Sequence, residues 1–279
     1  MAKRKRETNQ DQISRWIKEG RGKGEGSNYK PWLTIHDVPS KGMVTRSKGW
    51  KTERIHHVLS DLELHYFFTL EWSDSVIDIR EQYPLLPIER TLEIAEFLGV
   101  KHPTDPKSNE FVVMTTDFFI TVKTEKGIGY KARQIKPASN LKKREGEKFA
   151  IEQQFYKELG IDWGIVTDKD FSEIFIKNMD LIYNAKYLSY SGLNEKIVHR
   201  IAPTLFNEIS TSKEPLSMVA LQCDEKFGFE LGTCLFIVKY LIANKYWLAD
   251  MEQEINPTKK VNLSINNRSQ LYKGKEMFG

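Results

Sequence analysis

Between residues 111 and 137 the chain reads FVVMTTDFFITVKTEKGIGYKARQIKP, two apolar stretches joined by a turn that contains Gly127 and Gly129. β-Branched and aromatic residues in runs of this length, interrupted by glycine, predict a hairpin with strands over 111–123 and 130–137. The first strand carries a lone carboxylate, Asp117, beside Phe118, Phe119 and Ile120, and the second ends on Gln134-Ile135-Lys136. A buried carboxylate is costly unless it is paired, hydrogen-bonded or bound to metal. Side chains alternate along a strand, so Gln134 and Lys136 project from one face, and a hairpin can turn that face toward Asp117. The pattern predicts a sheet with a reactive polar spot inside it.

The flanking sequence supplies the rest of an α/β core. Leu59, Leu62, Leu64, Tyr66, Phe67 and Leu70 give a broad apolar face and predict a helix over 59–73. Val76, Ile77 and Ile79 followed by prolines predict a strand over 75–87. The segment 141–160 reads as an amphipathic helix stopped by Gly160, and 162–168 as a further strand. The order helix, strand, strand, strand, helix, strand describes a mixed sheet flanked by helices and ending near residue 170.

Beyond it four helical segments precede two short β-like pieces around Asn256-Pro257, the outline of a winged helix. Residues 1–50 form a basic arm with one short helix over 12–20. The run GRGKGEG at 20–26 has no strand before it and no Gly-Lys-Ser/Thr ending, so it reads as a linker and not a phosphate loop. Three regions are expected: the arm, 1–50; a catalytic α/β domain, 51–170; and a mostly helical, winged-helix-like domain, 171–279.

The net charge of +4 hides an uneven distribution. Residues 1–30 hold nine Lys/Arg against four Asp/Glu, and 123–148 hold nine against three. Such patches suit a polyanion, although a solvated surface would look the same. Cys223 and Cys234 lie in apolar helical sequence, which argues for a reducing compartment and against a disulfide framework. The N-terminus lacks the apolar region of a signal peptide, and the apolar run 235–243 is too short to span a bilayer. A soluble, intracellular protein is expected. The adjacent His56 and His57 have no cysteine nearby, which argues against zinc; one of them could contact phosphate or water near a site.

Glu63, on the first helix of the core, can be brought over the same point as Asp117, Gln134 and Lys136. Two carboxylates, an amide oxygen and a lysine are the parts of metal-assisted phosphodiester hydrolysis. Each also has a structural explanation. Ser60-Asp61-Leu62-Glu63 is a capping box, Asp117 could sit on a sheet edge, and Lys136 could extend to solvent before Pro137. The joint placement across a helix and two strands is what points to a site.

An aspartate followed on the next strand by a carboxylate-x-Lys motif resembles the restriction-endonuclease-like nucleases. HHVLSDLEL, DIREQYPLLP, TTDFF, QIKPA and WGIVTD, in this order after IKEGRGKGEG and PWLT, resemble the TnsA family. These are the endonuclease subunits of Tn-seven-type cut-and-paste transposases, and the similarity is sharp from about residue 12 to 170. The resemblance implies a Mg²⁺-dependent DNA endonuclease, with Mn²⁺ as an alternative ion. Glu63, Asp117 and Lys136 would be catalytic, and Glu63, Asp117, Gln134 and Glu152 would surround the metal. Glu152 has the alternative of an ordinary solvated helix glutamate, and Gln134 stands where the family pattern has an acid. The implied partners are transposon-end DNA, a TnsB-type transposase that processes the 3′ ends, and a TnsC-type ATPase, in the cytoplasm of a bacterium. The alternative is a non-catalytic architectural subunit that links the last two on DNA.

Overall fold

The computed structural model describes residues 10–38, 44–140 and 143–267, and the chain divides into two compact units, Met1–Phe171 and Ser172–Gly279. In the first unit α1 (Gln10–Lys18) is followed by a small antiparallel pair, β1 (Thr45–Lys48) and β2 (Ile55–Val58). Then come α2 (Asp61–Trp72), β3 (Val76–Pro84), α3 (Ile88–Leu98), β4 (Thr115–Thr124), β5 (Gly127–Ile135), α4 (Lys143–Glu158) and β6 (Asp162–Val166). The main sheet has the order β3-β4-β5-β6. Its first three strands are antiparallel and β6 runs parallel to β5, with α4 as the crossover.

The expected hairpin is present, tightened to a turn at Glu125-Lys126 between the paired Thr124 and Gly127. Gly127 has φ +114, a conformation open to glycine and strained for other residues. Two elements fall outside the expected order, α3 and the β1–β2 pair. α3 begins after Pro87 and closes on Gly99 in the left-handed region, and it buries Thr91, Ile94 and Ala95. One core joins α3, α4 and the sheet through Leu85, Ile94, Met114, Phe119, Ala132, Ile151, Phe155 and Tyr156. Toward α2, Phe118 is fully buried and meets Tyr66 edge-on at 5.6 Å between centroids. Each large side chain buried this way contributes about 1.5–3 kcal/mol.

The glycine run at 20–26 is not a linker. It lies on β3 so closely that a Cβ on Gly22 would come within 2.2 Å of Pro84 Cγ. Gly26 N–H donates to Asp78 Oδ1 at 3.2 Å, Tyr29 O–H to Glu81 O at 3.1 Å and Trp32 N–H to Gln82 O at 3.2 Å. Gly20, Gly22, Gly24 and Gly26 all have positive φ, so here the glycines serve a tight fixed path and not mobility. Trp32 then packs edge-on against Trp16 of α1, at 5.3 Å.

The second unit holds α5 (Glu173–Tyr183), α6 (Glu195–Thr211), α7 (Leu216–Phe227) and α8 (Thr233–Ala243), then the short antiparallel pair β7 (Trp247–Leu248) and β8 (Ser264–Ile265). The segment between β7 and β8 is pinned by the buried Asn178. Its Nδ2 donates to Met251 O at 2.9 Å and Gln253 O at 2.8 Å, and its Oδ1 accepts from Ile255 N–H at 2.8 Å. Asp224, fully buried, caps α8 by accepting from Gly232 N–H and Cys234 N–H, each at 2.7 Å. Cys223 and Cys234 are free and buried. No described helix is long and apolar enough to cross a membrane.

Candidate active site

β4 is an interior strand, so Asp117 is not an edge residue. The paired register between β4 and β5 runs as far as Phe118↔Arg133. Past that point a side chain takes over: Asp117 Oδ2 accepts the Ile135 N–H at 2.7 Å. The same oxygen accepts from Lys136 Nζ at 3.2 Å, and Oδ1 accepts from Gln82 Nε2 at 3.3 Å. Asp117 is only 6% exposed, whereas the Lys136 side chain keeps 31% of its surface. The lysine side chain is partly in solvent, and its ammonium is held by the carboxylate. The charge of Asp117 raises the Lys136 pKa against the opposing effect of burial, and that fixes it as a cation at neutral pH.

Gln134 and Glu152 form a second pair. Gln134 Nε2 donates to Thr115 O and to Glu152 Oε2, each at 2.8 Å. The Thr115 carbonyl can only accept, so the amide has one satisfactory orientation. Its Oε1 is thereby turned away from them, buried and without a hydrogen-bond partner. Glu152 is 1% exposed and is not a solvated helix residue. Its Oε1 accepts from Thr116 Oγ1 at 2.5 Å. Burial foremost pushes its pKa up to about 7.

Glu63 serves its helix and sits close enough to Asp117 to feel its charge. Its N–H donates to Ser60 Oγ at 3.2 Å, and its carboxylate accepts from Ser60 Oγ and Leu59 N–H, each at 3.0 Å. This is the expected cap. Burial first, and the Asp117 charge next, push its pKa up to about 8. Asp117, Gln134, Lys136 and Glu152 line one cleft of about 770 Å³, with Trp16, Trp32, Lys107, Glu145 and Lys148 among its other walls. Glu63 is not among the lining residues. No group of three His, Cys, Asp or Glu is arranged to hold a metal among the described residues.

His56 is fully buried and therefore makes no phosphate contact. Its Nδ1 meets Glu81 Oε2 at 2.8 Å, its Nε2 meets Thr52 Oγ1 at 2.7 Å, and Arg54 makes a two-pronged pair with the same Glu81. Burial works to raise the Glu81 pKa, but the His56 ring and the hydrogen bonds from Arg54 and His56 outweigh it and hold it below the usual range. Neither this network nor Gln82 was visible in the sequence, where Arg80-Glu81-Gln82 looks like an ordinary polar run.

A mixed sheet flanked by helices, with an aspartate on one strand and a lysine just past the end of the next lining one cleft, defines a nuclease core of the restriction-endonuclease-like class. Residues 73–168 match the family described as TnsA-like endonuclease N terminal, and residues 170–251 that described as TnsA endonuclease C terminal. The chain is 37% identical over 267 residues, 95% of each chain, to the Transposon Tn7 transposition protein TnsA of Escherichia coli. It belongs to the TnsA endonuclease family.

Proposed function

We propose that this chain is the metal-dependent nuclease subunit of a cut-and-paste transposase, hydrolysing the strands that carry the 5′ ends of the element. The observation that carries this reading is the cleft. In it an aspartate paired with a lysine lies near a buried amide oxygen that has no partner.

The oxygens fit a hard divalent cation. Asp117 Oδ1 has only a long hydrogen bond, Gln134 Oε1 has none, and Glu63 is kept protonation-prone by burial and a like charge that a cation would offset. Asp117, Gln134 and Glu63 would hold magnesium or manganese, and Glu152 would act by holding the Gln134 amide in place. Bound there, the ion would supply Lewis-acid stabilisation of phosphate charge and a lowered water pKa. Lys136, fixed as a cation, suits stabilisation of the negative charge that develops on the phosphate better than removal of a proton.

The second unit suits assembly. In a winged helix the groove-reading helix carries exposed polar side chains. Here α8 stands in that position and none of its residues is exposed. That speaks against α8 as a groove reader, and the proposal gives the second unit contacts with TnsB-type and TnsC-type partners, with DNA ends delivered to the first unit.

The test is strand-resolved mapping of labelled transposon-end DNA with Mg²⁺ and the partner transposase, comparing wild type with Asp117→Ala. Loss of the 5′-strand cut alone, with the partner's 3′ cut intact, is expected. An unchanged 5′-strand cut in the variant would end the catalytic assignment. No 5′-strand cut by either protein would favour an architectural subunit linking the two partners, the reading for which Gln134 in place of an acid speaks.

A further inference from the structure

Gln82 has the wrong backbone for its place. Its neighbours Glu81 and Tyr83 are both in register with β4, opposite Phe118 and Thr116, yet Gln82 itself has φ +49 and is 3% exposed. A long-chain residue in the left-handed region costs on the order of 1–2 kcal/mol. Such a residue in a buried strand persists only where its surroundings hold it.

What the conformation delivers is the side-chain amide. Nε2 donates to Asp117 Oδ1 at 3.3 Å, and Oε1 accepts from Thr115 Oγ1 at 3.1 Å. The carboxylate can only accept, so the amide orientation is fixed, and the Thr115 hydroxyl locks its other end. Asp117 Oδ2 is already taken by Ile135 N–H and Lys136 Nζ. Oδ2 is anchored by these two bonds, and the contact from Gln82 on the opposite oxygen limits the swing that remains to Oδ1.

We propose that Gln82 is a positioning residue for the nuclease reaction. Held in a left-handed turn of β3, it sets the rotation of the Asp117 carboxylate so that Oδ1 is presented for metal binding. This rests on the assignment of Asp117 as a metal-holding residue. Thr115 belongs to the same device, one step further out.

The experiment uses the full chain as wild type, Gln82→Gly, Thr115→Val and Asp117→Ala. Thermal unfolding is followed with and without Mn²⁺, and end cleavage with the partner transposase is titrated with Mg²⁺. Glycine removes the amide and also relieves the backbone, so a fully structural role and a positioning role have opposite signatures. Expected for Gln82→Gly is unfolding at or above the wild-type temperature without metal, with the Mn²⁺-induced rise and the Mg²⁺ midpoint both shifted about 10- to 100-fold to higher concentration. Thr115→Val, which leaves the backbone alone, should shift both in the same direction by less. Wild-type metal midpoints in both variants would overturn the proposal, as would a destabilised Gln82→Gly with unchanged midpoints. The parent assignment fails separately: cleavage by Asp117→Ala, or no Mn²⁺ effect on wild type, removes it and this proposal together. A dead Asp117→Ala beside a normal Gln82→Gly removes this proposal alone.

Discussion

Two groups of buried acids, one on β3 and one on the helices α2 and α4, are treated in opposite ways. Glu81 is surrounded by Arg54, His56 and the His57 N–H, so its ionised form is favoured even without solvent. Glu63 and Glu152 are just as deeply buried, yet their neighbours include Asp117 and few cations, and both are pushed toward the protonated form. The first group is complete as it stands, whereas the second is short of positive charge. On the proposed function, this shortfall of positive charge is what a bound cation and a phosphate would make good.

The comparison can be broken at either end. Asp117→Ala should give the largest effect, a loss of 5′-strand cleavage of about 10³-fold or more with folding retained, read by end mapping and circular dichroism. At the completed network, Glu81→Gln leaves Arg54 buried without its counter-charge. It should cost about 3–5 kcal/mol in urea unfolding, while cleavage per folded molecule is unchanged. An equal fall in activity would show that the two groups are not separable. Lys136→Met should lower cleavage about 10²-fold, with little change in stability because its side chain is partly solvated.

The smallest effect is on pH dependence. Raised carboxylate pKa values mean that the folded chain holds protons that the unfolded chain has released. Stability of the metal-free protein should therefore fall as pH rises from the ordinary carboxylate range toward about 8 for Glu63 and about 7 for Glu152. Glu152→Gln should flatten the lower part of this slope in denaturant titrations at several pH values, whereas Glu81 contributes nothing to it.

The half of this contrast that concerns Asp117, Gln134 and Lys136 could be read in the sequence, because a charge inside an apolar strand stands out in one dimension. The Glu63 cap was equally legible, since its partner Ser60 is three residues away. Glu81 and Gln82 were not. They sit in a polar run that alternation would leave half in water, and the structure buries Arg80, Glu81 and Gln82 together. Their partners Arg54, His56 and Thr115 come from distant segments, and a left-handed glutamine has no sequence signature. α3 has a sequence signature, Pro87 before it and Gly99 after it. The glycine run is ambiguous in sequence because the same residue serves both loose linkers and tight left-handed paths.

That glycine path has one more consequence. β3 is an edge of the main sheet, and an uncovered edge strand offers its free backbone groups to any other chain that approaches. Here the contacts from Gly26, Tyr29 and Trp32 lie along that margin, with Arg54 Nη2 donating to Ile79 O at 2.8 Å. The segment therefore works as a selvedge, keeping the sheet from unravelling into its neighbours. A protein trimmed to the core alone would keep Asp117, Gln134, Lys136 and Glu152 and still be prone to precipitate by strand-to-strand association.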